Sequence, residues 1–127
     1  MDQIYALVID DDKKNLRVLA THLARLGIEV TQVNDPTTLP DLIPTLPRVD
    51  IVFLDLEMPV ASGYDVMPWL REQLGDIPLI ACTVHVSEMN VVQRLGFDGF
   101  IGKPIDNDRF PDQIERILNG EAVWDRI

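Results

Sequence analysis

Basic residues are scarce in this chain. Lys and Arg together number 11 against 21 Asp and Glu, a formal charge of -10 and a pI near 4.4. Binding to a phosphate backbone needs clustered cations, so nucleic acid is not expected as a direct partner. Cysteine is nearly absent: the single Cys82 allows no internal disulfide. No apolar run approaches the ~18 residues of a membrane span, and Met1-Asp2-Gln3 carries no basic region of a signal peptide. The reading is a cytoplasmic protein. Repeats, low-complexity stretches and linkers are also missing, so the 127 residues are read as one domain, with a core from about 4 to 119 and a short tail over 120–127.

What is present is an alternation of strand and helix signals. Ile4 to Ile9 is an unbroken apolar run ended by Asp10-Asp11-Asp12. Leu16, Leu19, Ala20, Leu23 and Leu26 then recur at helical spacing before Gly27. Ile28 to Val33 mixes apolar and polar residues, which suits an edge strand. The next crossover opens at Asp35-Pro36, but Pro40 and Pro44 predict a short or broken helix. Ile51 to Leu54 is a third strand, followed by a helix over about Tyr64 to Leu74 and a fourth strand over Ile77 to Cys82. A short helix near Ser87 to Leu95, a fifth strand over Phe97 to Ile101 and a last helix from about Asn107 to Asn119 complete the pattern. Five strand–helix units predict an α/β fold, a doubly wound, flavodoxin-like parallel sheet with helices on both faces in the order 2-1-3-4-5.

In that order the first and third strands are neighbours, so Asp10, Asp11 and Asp55 meet beyond their carboxyl ends, where ligands bind in open parallel sheets. Two unit charges ~4 Å apart repel by about 4 kcal/mol at an effective dielectric near 20. Such a cluster calls for a cation or a shared proton. A hard divalent ion, Mg2+ or Mn2+, with a phosphoryl oxygen answers the need. The fourth and fifth strands deliver Thr83 and Lys103 to the same edge, a hydroxyl and a point charge suited to phosphoryl oxygens.

This conjunction resembles the response-regulator receiver domain of two-component signalling, over about residues 4 to 119. The resemblance rests on Val8-Ile9-Asp10-Asp11-Asp12, Leu54-Asp55-Leu56-Glu57-Met58-Pro59, Cys82-Thr83 and Gly102-Lys103-Pro104. It implies that Asp55 accepts a phosphoryl group from a phosphohistidine on a histidine kinase or a histidine phosphotransferase. Asp10, Asp11, Asp55 and the backbone carbonyl of Glu57 would hold the metal, and Thr83 and Lys103 would bind the phosphoryl oxygens. It further implies a cis Lys103-Pro104 bond and a switch aromatic at Phe100, set against packing on the last helix. Output would pass through the face of the fourth helix, fifth strand and fifth helix, with Val91, Val92, Leu95, Phe97 and Phe100, to a downstream protein or output domain; a homodimer stays open. Glu57 and His85 flank the site as modulators. For Glu57 the options are repulsion of the anion, pairing with Lys103 or ordering of water; for His85, contact with the group or no role. The Thr83 to Lys103 segment is about two residues shorter than in many relatives, which predicts a short or displaced fourth helix.

Such a domain catalyses only its own phosphorylation and dephosphorylation and is not an enzyme in the ordinary sense. A rival is the haloacid-dehalogenase type of Mg2+-dependent phosphatase, but Lys14 stands where that motif needs Thr or Val. A pseudo-receiver that only binds partners is disfavoured by the complete residue set. His22 is expected on the solvated face of the first helix, Cys82 as a buried inert thiol, and Trp69 and Trp124 as packing residues. Glu121-Ala122-Val123-Trp124 is read either as the start of a linker helix or as a packed terminus.

Overall fold

A computed structural model describes residues 3–58 and 62–124, without the side chain of Val86. Pro59 of the phosphoacceptor-like motif and positions 125–127 of the tail lie outside the described residues. The strands are β1 (Tyr5–Ile9), β2 (Glu29–Val33), β3 (Ile51–Asp55), β4 (Leu79–Thr83), β5 (Gly99–Gly102) and β6 (Val123–Trp124). The helices are α1 (Lys13–Arg25), α2 (Leu39–Leu42), α3 (Gly63–Leu74), α4 (Met89–Arg94) and α5 (Phe110–Leu118). All strand pairs are parallel, in the order β2-β1-β3-β4-β5-β6. The expected order of the first five holds. The sixth decides between the two readings of the tail: Val123 and Trp124 are not the start of a linker helix but pack on the core, as a strand on β5.

Side-chain alternation along the strands divides the core in two. Leu7, Ile9, Val52, Leu54, Leu79, Ala81 and Phe100 pack toward α2, α3 and α4 residues such as Leu39, Val66, Met67, Leu70 and Val92. Ala6, Val8, Ile51, Phe53, Ile80, Cys82 and Ile101 pack toward Leu16, Leu19 and Leu23 of α1 and Phe110, Ile114 and Ile117 of α5. Central strands buried on both faces read as continuous apolar runs for this reason. At roughly 25 cal/mol per Å2, these buried side chains supply the main drive for folding.

Local chemistry sets the crossovers. Asp12 caps α1, its carboxylate accepting from the amides of Lys14 (2.8 Å) and Asn15 (3.2 Å). The second crossover is broken as its prolines imply: α2 is a single turn flanked by 3-10 turns at 36–38 and 43–45. By contrast α3 continues through Pro68. A proline there removes one hydrogen bond at a cost of about 3 kcal/mol, offset by burial of Val66, Met67 and Leu70. As the short Thr83–Lys103 segment predicts, α4 is only six residues long, preceded by a 3-10 turn.

At the amino ends of β4 and β5, Arg71 acts as a clamp. Its guanidinium donates to the carbonyls of Gly75 (3.1 Å), Ile77 (2.9 Å) and Gly96 (3.1 Å) and to the Asp98 carboxylate (2.7 Å). Asp98 in turn accepts from the Leu79 amide at 2.9 Å. The planar fork of Arg suits this set of fixed acceptors.

Candidate phosphoryl and metal site

The opposite, carboxyl end of the sheet carries the charges. Asp10 ends β1, and one of its oxygens accepts from the Asp12 amide at 2.9 Å, so the acidic triplet folds back on itself before α1 begins. Asp55 ends β3 beside β1, in a register that pairs Ile9 with Leu54. Asp10 and Asp55 are both buried, at 5% and 7% exposure, while Asp11 is open to solvent. Carboxylate oxygens of Asp10, Asp11 and Asp55 lie within 4.8 Å of one another. Two or three carboxylates at this separation, with one open to water, suit the donor preference of a hard divalent cation that keeps several waters.

Lys103 enters from the end of β5, where the Lys103-Pro104 peptide bond is cis. Its ammonium donates to Asp10 at 2.6 Å and to Asp55 at 3.4 Å. Burial alone would lower the Lys103 pKa, but the hydrogen bond and charge of Asp10, with Asp55, outweigh it and hold the pKa above its ordinary value. For Asp55 burial dominates: its pKa is pushed up to about 6, against the opposing pull of Lys103 and with a further push from Asp10. Cys82 is buried, and burial raises its thiol to about 12, so it is a poor nucleophile, as expected.

Thr83 ends β4 and is 2% exposed; its hydroxyl accepts from the His85 amide at 3.1 Å. It stands on the neighbouring strand end, with Cys82 opposite Asp55 in the register. Glu57 and His85 meet across the mouth, Nε2 to Oε1 at 2.9 Å, each side chain about half exposed. The expected pairing of Glu57 with Lys103 is not the one formed: Lys103 is taken by Asp10 and Asp55, and the Glu57 carboxylate meets His85.

Some expectations need correction. Phe100 is fully buried in the core on the α3–α4 side, whereas the α5 residues Phe110, Ile114 and Ile117 belong to the other core, so packing on the last helix does not describe it. Val92 and Phe97, expected on the output face, are also buried, whereas Val91 and Leu95 are exposed. His22 is half-buried rather than solvated: its ring lies 5.4 Å from that of Phe110, and burial, with Arg25, lowers its pKa. Trp124 packs on the core as expected, but from a strand.

Two features escaped sequence reasoning. A Cβ at Gly63 would fall 2.4 Å from the Asp55 carbonyl oxygen and 2.8 Å from Leu56 Cα, so only glycine lets α3 start against the end of β3. An apolar cavity of about 240 Å3 also runs from Asp10, Asp55 and Lys103 to Val18, Leu19, Phe53 and Ile105, with Lys14 and Asn15 at its border.

Comparison with known proteins decides the family. The model of the response regulator receiver domain matches residues 6–115. This chain belongs to the response-regulator receiver family. Its receiver sequence is 35% identical over 112 residues to stress response regulator protein 1 of Meyerozyma guilliermondii, covering 84% of this chain and 51% of that protein. It is 27% identical over 120 residues to the polar-differentiation response regulator DivK of Brucella anthropi, covering 91% and 96%. The receiver fold superposes on chemotaxis protein CheY4 of Vibrio cholerae with a TM-score of 0.81 at 20% identity, covering 91% of this chain and 99% of that one. The chain spans about half the length of the first curated relatives it matches, from 29% to 63%. The family match leaves no support for the phosphatase reading. Among the described residues, no helix is long and apolar enough to cross a membrane.

Proposed function

We propose that this receiver accepts a phosphoryl group on Asp55 from a phosphohistidine of a histidine kinase or phosphotransferase. The observation that carries the reading is the convergence of Asp10, Asp11, Asp55 and Lys103 at one sheet edge, with Lys103 2.6 Å from Asp10. An ionised Asp55 oxygen attacks phosphorus, a P–O bond forms as the P–N bond breaks, and the electron pair returns to the imidazole. Mg2+ or Mn2+, when bound, supplies charge neutralisation for the phosphoryl oxygens. Asp10, Asp11, Asp55 and the Glu57 carbonyl are the groups to hold it. Lys103 is within reach of a phosphoryl group on Asp55 and adds a fixed positive charge. Thr83 contributes its hydroxyl after leaving the His85 amide, and that exchange starts the conformational response.

The product is a changed surface rather than a released compound, so the protein is a switch that catalyses only its own modification and its reversal. The family supports a downstream protein or output domain as the recipient, and Val91 and Leu95 of the α4 region are exposed apolar residues there. We read residues 1–127 as a single receiver unit acting in the cytoplasm. Incubation with acetyl phosphate and Mg2+ tests the reading by intact mass. The expected result is the mass gain of one phosphoryl group in the native chain and none in Asp55→Asn. An equal gain in both would overturn it.

A further inference from the structure

Charge is unevenly placed along this acidic chain. Helix α1 carries Lys13, Lys14, Arg17 and Arg25 and no acidic residue, so all 21 Asp and Glu lie elsewhere. Among the described residues, Arg48, Arg71, Lys103 and Arg116 each have a carboxylate at 2.6 to 3.6 Å, whereas none of the four cations of α1 has such a partner. All four are exposed. At 3.6 residues per turn they fall within one arc of about 120°, opposite the buried Leu16, Leu19, Ala20 and Leu23. Like charges at i and i+4, as Lys13 and Arg17 are, repel and weaken a helix. An anion from outside relieves that repulsion.

The amino-terminal half of the strip also has a shaped seat. Lys13, Leu16 and Arg17 line a hollow of about 350 Å3 together with Gln32 of β2 and Asn34 just beyond it. Among the described residues, the side chains of Lys13, Arg17, Gln32 and Asn34 make no hydrogen bond. The carboxylates flanking them in sequence are turned to their own backbone: Asp12 accepts from the amides of Lys14 and Asn15, and Asp35 from the Thr37 amide at 2.9 Å and hydroxyl at 2.6 Å. Two cations and two amide donors around one hollow suit a carboxylate, which an Arg fork binds through both oxygens. We propose that α1 is a docking strip for an acidic segment of a partner protein, one of whose carboxylates sits among Lys13, Arg17, Gln32 and Asn34. Lys13 to Arg25 spans roughly 18 Å, the reach of about six extended residues. A nucleic acid or an anionic membrane extends beyond such a strip and meets the acidic remainder of a chain of net charge -10. Val18, 43% exposed in the same arc, adds an apolar contact. The docking needs no phosphoryl group on Asp55.

The test follows the anisotropy of a fluorescent hexaglutamate peptide mixed with the whole chain. Saturable binding is expected at an ionic strength of ~0.01 M, weakening as added salt shortens the screening length from about 30 Å to about 8 Å at ~0.15 M. Lys13→Glu combined with Arg17→Glu is expected to weaken binding by about tenfold or more. Both positions are exposed, and acidic residues near a helix amino terminus are favourable, so this variant keeps its fold. Arg17→Gln and Arg94→Gln separate the strip from net charge, since each removes one exposed, unpaired cation, the second from α4. Arg17→Gln is expected to cost about threefold or more, and Arg94→Gln a smaller factor. Gln32→Ala with Asn34→Ala, at unchanged charge, is expected to cost about threefold. Absence of peptide binding at low salt, equal losses in Arg17→Gln and Arg94→Gln, or no loss in the Gln32 and Asn34 variant would overturn the proposal. Tighter binding of a DNA duplex or of phosphatidylserine vesicles than of the peptide would assign the strip to another class of partner and sink it as stated.

Discussion

The Lys103 ammonium sits closer to Asp10, at 2.6 Å, than to Asp55, at 3.4 Å. Lys103 is therefore an internal counter-ion of the acidic crevice, and Asp10 is its principal partner. A cation among the carboxylates would take over that duty and leave Lys103 to the phosphoryl group.

Removing Lys103 should expose this dependence. Lys103→Met leaves the buried Asp10 carboxylate without its partner, and breaking a buried pair costs about 3 kcal/mol or more. Urea unfolding in EDTA should show a loss of that order, and millimolar Mg2+ should restore much of it. A variant as stable as the native chain in EDTA would refute the counter-ion role.

In EDTA, Asp55 should give the chain a distinctive pH dependence. Its folded pKa of about 6 lies above the unfolded value near 3.9. Between these values the folded state binds the extra proton, so its contribution to stability is full below pH ~4 and is lost as pH rises to ~6. The loss amounts to about 3 kcal/mol at most. Asp55→Asn should flatten this part of the stability–pH curve in EDTA and be the more stable protein at pH 7. Superimposable native and variant curves would argue against a strongly desolvated Asp55.

Gly63→Ala should disturb the site through the backbone. The added carbon meets the Asp55 carbonyl oxygen and Leu56 Cα, neither of which is a flexible side-chain end. Overpacking of this kind costs about 1–3 kcal/mol. A lowered urea midpoint with slower phosphorylation by acetyl phosphate is the expected outcome, and unchanged values of both would contradict the close approach.

Arg71→Lys should fail as a conservative replacement. One ammonium cannot reach three carbonyls and the Asp98 carboxylate with the spread of a guanidinium. Thermal unfolding should show a loss of about 1–3 kcal/mol, little better for Lys than for Ala. Full rescue by Lys would show that charge alone matters at this position.

Much of this arrangement is legible in the chain because it rests on period and punctuation. The apolar runs ending in Asp10, Asp55 and Thr83, with the polar residues of β2, suffice for the order of five strands. Carboxyl-end residues then fall together by topology. β6 is hidden because two residues display no period, and its seat depends on a side chain missing at Gly99, far back in the sequence, where a Cβ would meet the Val123 carbonyl oxygen. Phe100 lies opposite Trp124 of the same strand. α3 was legible despite Pro68, because burial of Val66, Met67 and Leu70 outweighs one lost hydrogen bond. The Glu57–His85 contact depends on rotamers across two loops, which leave no trace in spacing.

The Arg71 clamp has a mechanical consequence. It fastens the amino ends of β4 and β5, whereas Thr83 and Lys103 stand at the far ends of the same strands. With about 3.3 Å per residue, roughly 15 Å of strand separates the two ends. The strands thus resemble beams fixed at one support and loaded at the free tip. On the proposed phosphorylation of Asp55, deflection would be greatest near Thr83 and Lys103 and would die away toward Arg71, with the base of the sheet as the stationary frame from which the movement is measured.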